Sequence, residues 1–183
     1  MKKKTQVIVG MVGLVGSGKS AVAQGIAKSL NAWLVRGDEI RLKLRRKGQP
    51  FDQVEKIAVE RTRAIGKRGW NIVIDSDLVK ASTRRLFIKE ARAVGARVCF
   101  VRTVADLDVM LGRMVNASYA NGVDRLFHFA SSSWKGKARG AVVKVRESWR
   151  RVPHHYRWTE DGGGKWVLRK LPFPLAATID TTD

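Results

Sequence analysis

Two groups of side chains in this 183-residue sequence have the types and spacing for chemistry on phosphate. The first is Gly13-Leu14-Val15-Gly16-Ser17-Gly18-Lys19-Ser20, which satisfies G-x-x-x-x-G-K-[ST] at every fixed position. Gly13, Gly16 and Gly18 let successive backbone N–H groups, through Ser17 to Ala21, converge on phosphate oxygens, and a helix starting there adds its positive end. Lys19 can reach the β- and γ-phosphates of ATP, and the Ser20 hydroxyl can ligate Mg²⁺. The second group is carboxylates and arginines placed after apolar runs. Asp38 and Arg41 are spaced by three, so that a carboxylate can take a hydroxyl proton while a guanidinium grips an acceptor phosphate. Alternatively, Asp38 only caps a helix and Arg41 is solvated. Asp75 ends an apolar run with Asp77 close behind. It is either a Mg²⁺-associated or water-ordering acid, or a strand-end aspartate in a turn. Thr83, Arg84 and Arg85 open the next helical stretch and are acceptor-phosphate candidates. Arg113, with Arg125 second, is the candidate lid cation for a migrating phosphoryl group.

The elements that must position these groups alternate between strand and helix. Gln6 to Val12 reads as a buried strand, Ala21 to Leu30 as a helix, and Ala32 to Val35 as a second strand. A basic helix starts at Leu42 and breaks at Gly48-Gln49-Pro50, and another helix spans Asp52 to Lys67. Trp70 to Asp75 is a third strand, Ser82 to Val94 a helix, Arg97 to Val101 a fourth strand and Val104 to Val115 a helix. A helix resumes from Ala141 to Arg150. His155–Thr159 and Lys165–Arg169 flank a glycine turn as a β-hairpin, and Leu175 to Ile179 is a fifth strand. This order predicts an α/β P-loop three-layer sandwich with a five-stranded parallel sheet, a helical lid and a C-terminal hairpin insertion. Residues 1–183 read as one domain, with the lid at about 116–151 and the hairpin at about 155–169. Right-handed crossovers bring the strand ends, and so the candidate residues, to one edge.

Composition adds a partner. The chain carries 36 Lys plus Arg against 16 Asp plus Glu, a formal net charge of +20. Such an excess points to a polyanion, nucleic acid first and an anionic membrane surface second, unless it is only a solvated basic surface. Cys99 is the only cysteine, so an internal disulfide is impossible, and a buried thiol in a reducing cytoplasm is the expectation. There is no apolar run of membrane-spanning length, and Met1-Lys2-Lys3-Lys4 leads into a strand rather than a targeting segment. His128, His154 and His155 lack metal-ligand spacing and read as structural or surface residues.

The phosphate loop, Arg36-Gly37-Asp38-Glu39-Ile40-Arg41, the strand ending Ile74-Asp75, and Arg113 together resemble the small adenylate-kinase-like P-loop kinases. They are most similar to the AAA_33-type members, which include 5′-hydroxyl polynucleotide kinases, gluconate kinase, chloramphenicol phosphotransferase and zeta toxins. The resemblance covers about Gln6 to Val115 plus the final strand. It implies Asp38 as general base, Arg41 as clamp on the acceptor-side phosphate, Lys19 and a lid arginine as transition-state stabilisers, and Asp180 and Thr181 near the adenine. Two features depart from it. Asn116 and Ala117 stand where polynucleotide kinases usually bring a second arginine, and the Trp158–Trp166 hairpin is not in the shared pattern. The expected activity is ATP- and Mg²⁺-dependent phosphoryl transfer to a hydroxyl, foremost the 5′-hydroxyl of RNA or DNA. The alternatives are a small-molecule kinase for a sugar, antibiotic or nucleotide derivative, and an ATP-gated nucleic-acid-binding module.

Overall fold

A computed structural model describes residues 5–117 and 137–183, with side chains in the second span from residue 141. Strand Val7–Val12 (β1) is apolar at nearly every position because both faces of a parallel sheet are covered. It leads through the phosphate loop into helix Lys19–Leu30 (α1). Strand Trp33–Arg36 (β2) and helix Gly37–Arg46 (α2) follow, then a 3-10 turn, Phe51–Gln53, and helix Val54–Gly66 (α3). Strand Ile72–Asp75 (β3), helix Ala81–Ala93 (α4), strand Arg97–Val104 (β4) and helix Leu107–Asn116 (α5) continue the alternation. After the undescribed segment come helix Lys137–His155 (α6), strands Tyr156–Thr159 (β5) and Lys165–Leu168 (β6), and strand Ala177–Asp180 (β7).

The main sheet has five parallel strands in the order β2-β3-β1-β4-β7, and β5-β6 form a separate antiparallel hairpin. Alternate residues of each strand feed different cores. Ile8, Val12, Ile72, Ile74 and Phe100 pack with Ile40, Leu44, Ala58 and Phe87 of α2, α3 and α4. Val9, Met11, Val73 and Val101 pack on Ala23 and Ala27 of α1. A third cluster joins Leu14 of the phosphate loop to Met110 and Met114 of α5 and Val152 of α6. Arg63 of α3 clips α4 with two hydrogen bonds to Glu90, 2.6 and 2.7 Å, which hold that carboxyl below its ordinary range. Because β1 lies between β3 and β4, the chain turns one way and then the other around it. That reversal opens a crevice at the carboxyl end of β1.

Element boundaries differ from the sequence expectation by three residues or more in three places, and by one or two elsewhere. The basic helix begins at Gly37 rather than Leu42, with extended Arg36 as its cap residue, so Asp38 lies in the first turn and is not the cap. β4 continues to Val104 because β7 pairs with its last residues, Thr103 with Ile179 and Val104 with Asp180, which delays α5 to Leu107. The helix expected over 141–150 runs from Lys137 to His155, carrying Pro153 in its last turn, where the lost N–H costs one terminal bond. Cys99 is half-buried, and burial pushes its thiol up from the ordinary value.

Candidate active site

The phosphate loop is shaped by close approaches that only glycine permits. Gly16 and Gly18 have φ of 86° and 69°, in the left-handed region. A Cβ on Gly13 would lie 2.3 Å from Thr103 Oγ1 and 2.7 Å from Ser17 Oγ. The buried Ser17 hydroxyl turns inward, donating to Leu14 O at 2.8 Å and sharing a 2.8 Å hydrogen bond with Thr103 Oγ1. Its contribution toward a ligand is therefore its backbone. Gly18 caps α1 and has no side chain to claim a first-turn N–H, while the Ala21 N–H turns back to Gly18 O at 3.0 Å. Ser20 and Ala21 are exposed at that end.

In front of the loop, four strand and helix ends deliver a row of charges. Lys19 Nζ stands 3.5 Å from Asp75 Oδ1, and Asp75 Oδ2 is 3.6 Å from Arg36 Nε. Asp75 is 8 % exposed. Its Oδ1 and the Nε of Arg36 are buried without a hydrogen bond, so the ion pairs leave polar capacity unused. The parallel register sets Arg36 beside Asp75 and so brings the start of α2 to the end of β3. There Arg41 Nη1 donates to Asp38 Oδ1 at 2.5 Å, and Gly37 approaches both Ser76 and Arg41. Asp38 keeps about half its side chain in solvent, at 49 % exposure, next to the positive end of α2. A carboxylate oxygen short of a donor, with the exposed Ser20 hydroxyl at the neighbouring helix start, suits a hard cation with oxygen ligands.

Arg113, Asp180 and Thr181 gather on a different side of the loop. Thr181 Oγ1 donates to Ser17 O at 3.2 Å, and Arg113 donates to Gly16 O at 3.2 Å and to Thr181 O and Oγ1. The carboxylate of Asp180 accepts from the N–H and hydroxyl of Thr182, which lowers its pKa. Arg113 thus braces the loop against the end of β7. Its placement differs from a cation poised over the Lys19 side, because α5 packs on Gly16 through Met110. Arg125 lies outside the described residues.

Arg84 is a correction. It is buried, donates to Leu78 O at 3.0 Å and to Val79 O, and lies 3.6 Å over the Phe173 ring. The α4 position it occupies faces the core, where the carbonyls of the 78–79 turn need a donor, so its guanidinium is spent internally. Burial, and then the charge of Arg85, lower its pKa. Thr83 donates to Glu55 Oε2 at 2.5 Å.

Two residues around the site, Arg36 and Thr103, had no role in the sequence reading, and His155, read there as structural or surface, is buried. His155 is 1 % exposed, and its Nε2 is 3.0 Å from Asp77 Oδ2. Asp77 Oδ1 also accepts from the Gly13 N–H at 3.3 Å. Burial alone would raise the Asp77 carboxyl. The hydrogen bond and charge of His155, the Gly13 N–H and Lys19 more than offset it and bring the carboxyl below its ordinary value. The buried Arg102 donates to His155 O at 2.9 Å and Arg169 O at 2.7 Å, tying α6 and the hairpin to β4. The aspartate pair Asp75/Asp77 was visible in sequence, but a histidine 78 residues further on carried no signal. A groove of about 250 Å³ between α2 and α3 has Ile40, Leu44 and Ile57 in its lining, together with Lys43, Lys47 and Arg61.

Among the described residues no cluster of three or more His, Cys, Asp or Glu is placed to hold a metal, and no helix is long and apolar enough to cross a membrane. No curated protein matches the sequence. Solved structures do, at identities that speak to the fold alone. A candidate kinase from Chloroflexus aurantiacus matches at 19 % identity over 98 % of this chain and 90 % of its own, with a TM-score of 0.64. The Mycobacterium tuberculosis APS kinase CysC, in complex with AMPPNP and APS, matches at 17 % identity over 98 % of this chain and 90 % of its own, TM-score 0.53. The Pnkp1/Rnl/Hen1 complex matches at 16 % identity over 75 % of this chain and 46 % of its own, TM-score 0.52. The AAA_33 family, described as an AAA domain, matches residues 8–130. With that match over about two thirds of its length, the chain belongs to the AAA_33 family, and its fold is shared with solved kinase structures.

Proposed function

We propose that the protein transfers the γ-phosphoryl group of ATP to the 5′-hydroxyl of an RNA or DNA end. The observation that carries this reading is the single row formed by Lys19, Asp75, Asp38 and Arg41 beside the phosphate loop. In the proposed step Asp38 accepts the hydroxyl proton, and the acceptor oxygen bonds to the γ-phosphorus. The bond from that phosphorus to the β–γ bridging oxygen breaks, and ADP leaves. Lys19 stabilises charge on the β- and γ-phosphates, and Arg41 leaves Asp38 to grip the acceptor's own phosphate. Ser20 and Asp75 are the residues that would hold Mg²⁺, whose charge neutralises the phosphates. Arg113 and Thr181 support the loop on the nucleotide side, with Asp180 beside them. The polynucleotide acceptor is favoured by the net charge of +20 and by Lys43, Arg46, Lys47 and Arg61, which line a groove between α2 and α3.

The test is transfer from γ-labelled ATP with Mg²⁺ to a 5′-hydroxyl oligonucleotide, run beside a panel of small hydroxyl acceptors. Labelled oligonucleotide, lost with Lys19→Ala, is the expected result. Label on small acceptors alone would retain phosphotransfer and overturn the nucleic-acid end as substrate.

A further inference from the structure

The hairpin and α6 take no part in the chemistry just described, yet they carry two of the three most exposed aromatic side chains among the described residues. Trp149 is 66 % exposed and Trp158 is 53 % exposed. Both meet the half-buried Trp166 edge-on: Trp149 at 6.1 Å and 81°, Trp158 at 5.5 Å and 70°. Trp166 is anchored in turn, because it packs on the cluster of Leu14, Met110, Met114 and Val152. Trp158 is seated on the turn. A Cβ at Gly164 would come 2.4 Å from its ring, and Gly164 has φ of 84°. The rings are therefore held edge to face rather than stacked on one another.

We infer that this surface is a base-stacking platform for single-stranded nucleic acid, an inference that rests on the polynucleotide reading of the active site. Every base has a π-face, so ordered, exposed indoles accept successive unpaired bases without regard to sequence. The charge around them fits a phosphate backbone. In sequence, α6 carries six basic residues against the single acid Glu147. Arg146, one turn before Trp149, is exposed, and Arg150 and Arg151 share Glu147. An anionic bilayer fits less well. The hairpin tip, the part that would enter it, is Glu160-Asp161 followed by three glycines. Trp166 also packs on the same cluster as Leu14 of the phosphate loop, which sets the platform close to the active site.

The experiment is fluorescence anisotropy of a labelled, already 5′-phosphorylated oligothymidylate with the full chain at low and moderate salt. Trp149→Ala and Trp158→Ala are each expected to weaken binding about 5- to 150-fold, with Trp→Phe at the same sites restoring much of it. Trp33→Ala, at 54 % exposure on the start of β2, is expected to leave binding unchanged. Tight binding indifferent to both alanine and phenylalanine variants overturns the platform, as does failure of the wild type to bind at low salt. Tryptophan-dependent binding to phosphatidylserine vesicles in place of the oligonucleotide also overturns it. The two readings fail separately. Tryptophan-dependent binding without phosphoryl transfer keeps the platform and removes the end-kinase. Transfer with an unchanged acceptor KM in both alanine variants keeps the kinase and removes the platform.

Discussion

In the proposed mechanism Asp38→Asn should separate catalysis from folding and from nucleotide binding. The side chain is about half exposed and is paired with Arg41, itself 36 % exposed at the side chain. A solvent-exposed ion pair of this kind contributes about 0–1 kcal/mol to stability. For a chain of this size that amounts to a fall in Tm of about 2–4 °C at most. Asparagine keeps the shape and an oxygen for the Arg41 hydrogen bond, but it cannot take a proton. Removing a general base costs about 10²- to 10⁴-fold in rate, equivalent to about 3–5 kcal/mol of barrier. The kinetic effect therefore exceeds the structural one several-fold, and the two can be measured apart. Asp38 pairs with Arg41 and not with Lys19, so ATP affinity should hold. The assay is single-turnover transfer from γ-labelled ATP, paired with a thermal melt and titration of a fluorescent ATP analogue. Turnover within about threefold of wild type would remove Asp38 as the base. A matching loss of nucleotide affinity would show that it acts through the loop instead.

Gly13→Ala should lower stability by about 1–3 kcal/mol and weaken ATP binding, because its Cβ collides with Thr103 Oγ1. The double variant with Thr103→Ala should recover part of that loss in paired thermal melts and titrations, and strict additivity would show that the two positions are uncoupled. Arg84→Leu should cost about 1–3 kcal/mol, since the Leu78 and Val79 carbonyls lose a donor. It should leave the acceptor KM unchanged, and a raised KM would return Arg84 to the acceptor site. Asp77 has a lowered folded pKa, so its ionisation stabilises the fold at pH values above the ordinary aspartate value of about 3.9. That contribution is lost as pH falls from there through the lowered value. The Tm gap between wild type and Asp77→Asn should accordingly be widest near neutrality and close below about pH 4; a gap constant with pH would contradict it.

Much of the architecture and half of the candidate site were legible in local pattern. The loop motif, the β-branched runs and the helical spacing of Val54, Ala58 and Thr62 each express a short-range preference, and the structure keeps them. The same locality explains the boundary errors. β4 grows by three residues, and α5 starts late, because of pairing with a strand more than 70 residues away.

The sequence by itself determined that a strand, a glycine-rich turn and a helix would present N–H groups and Lys19 to a phosphate, because that geometry is set by residues in direct succession. It also determined the charge that a partner meets. Tertiary structure alone decided which charged side chains stay available. Arg84 and Asp75 look equivalent as strand-end or helix-start ions. Packing turns Arg84 under Phe173 and onto backbone carbonyls, while it leaves Asp75 buried beside Lys19 with an oxygen unsatisfied. Likewise His155 meets Asp77 only because α6 ends against β4 and Arg102 holds it there. Burial and hydrogen-bond satisfaction depend on which distant segments close over a residue, and no local spacing encodes that.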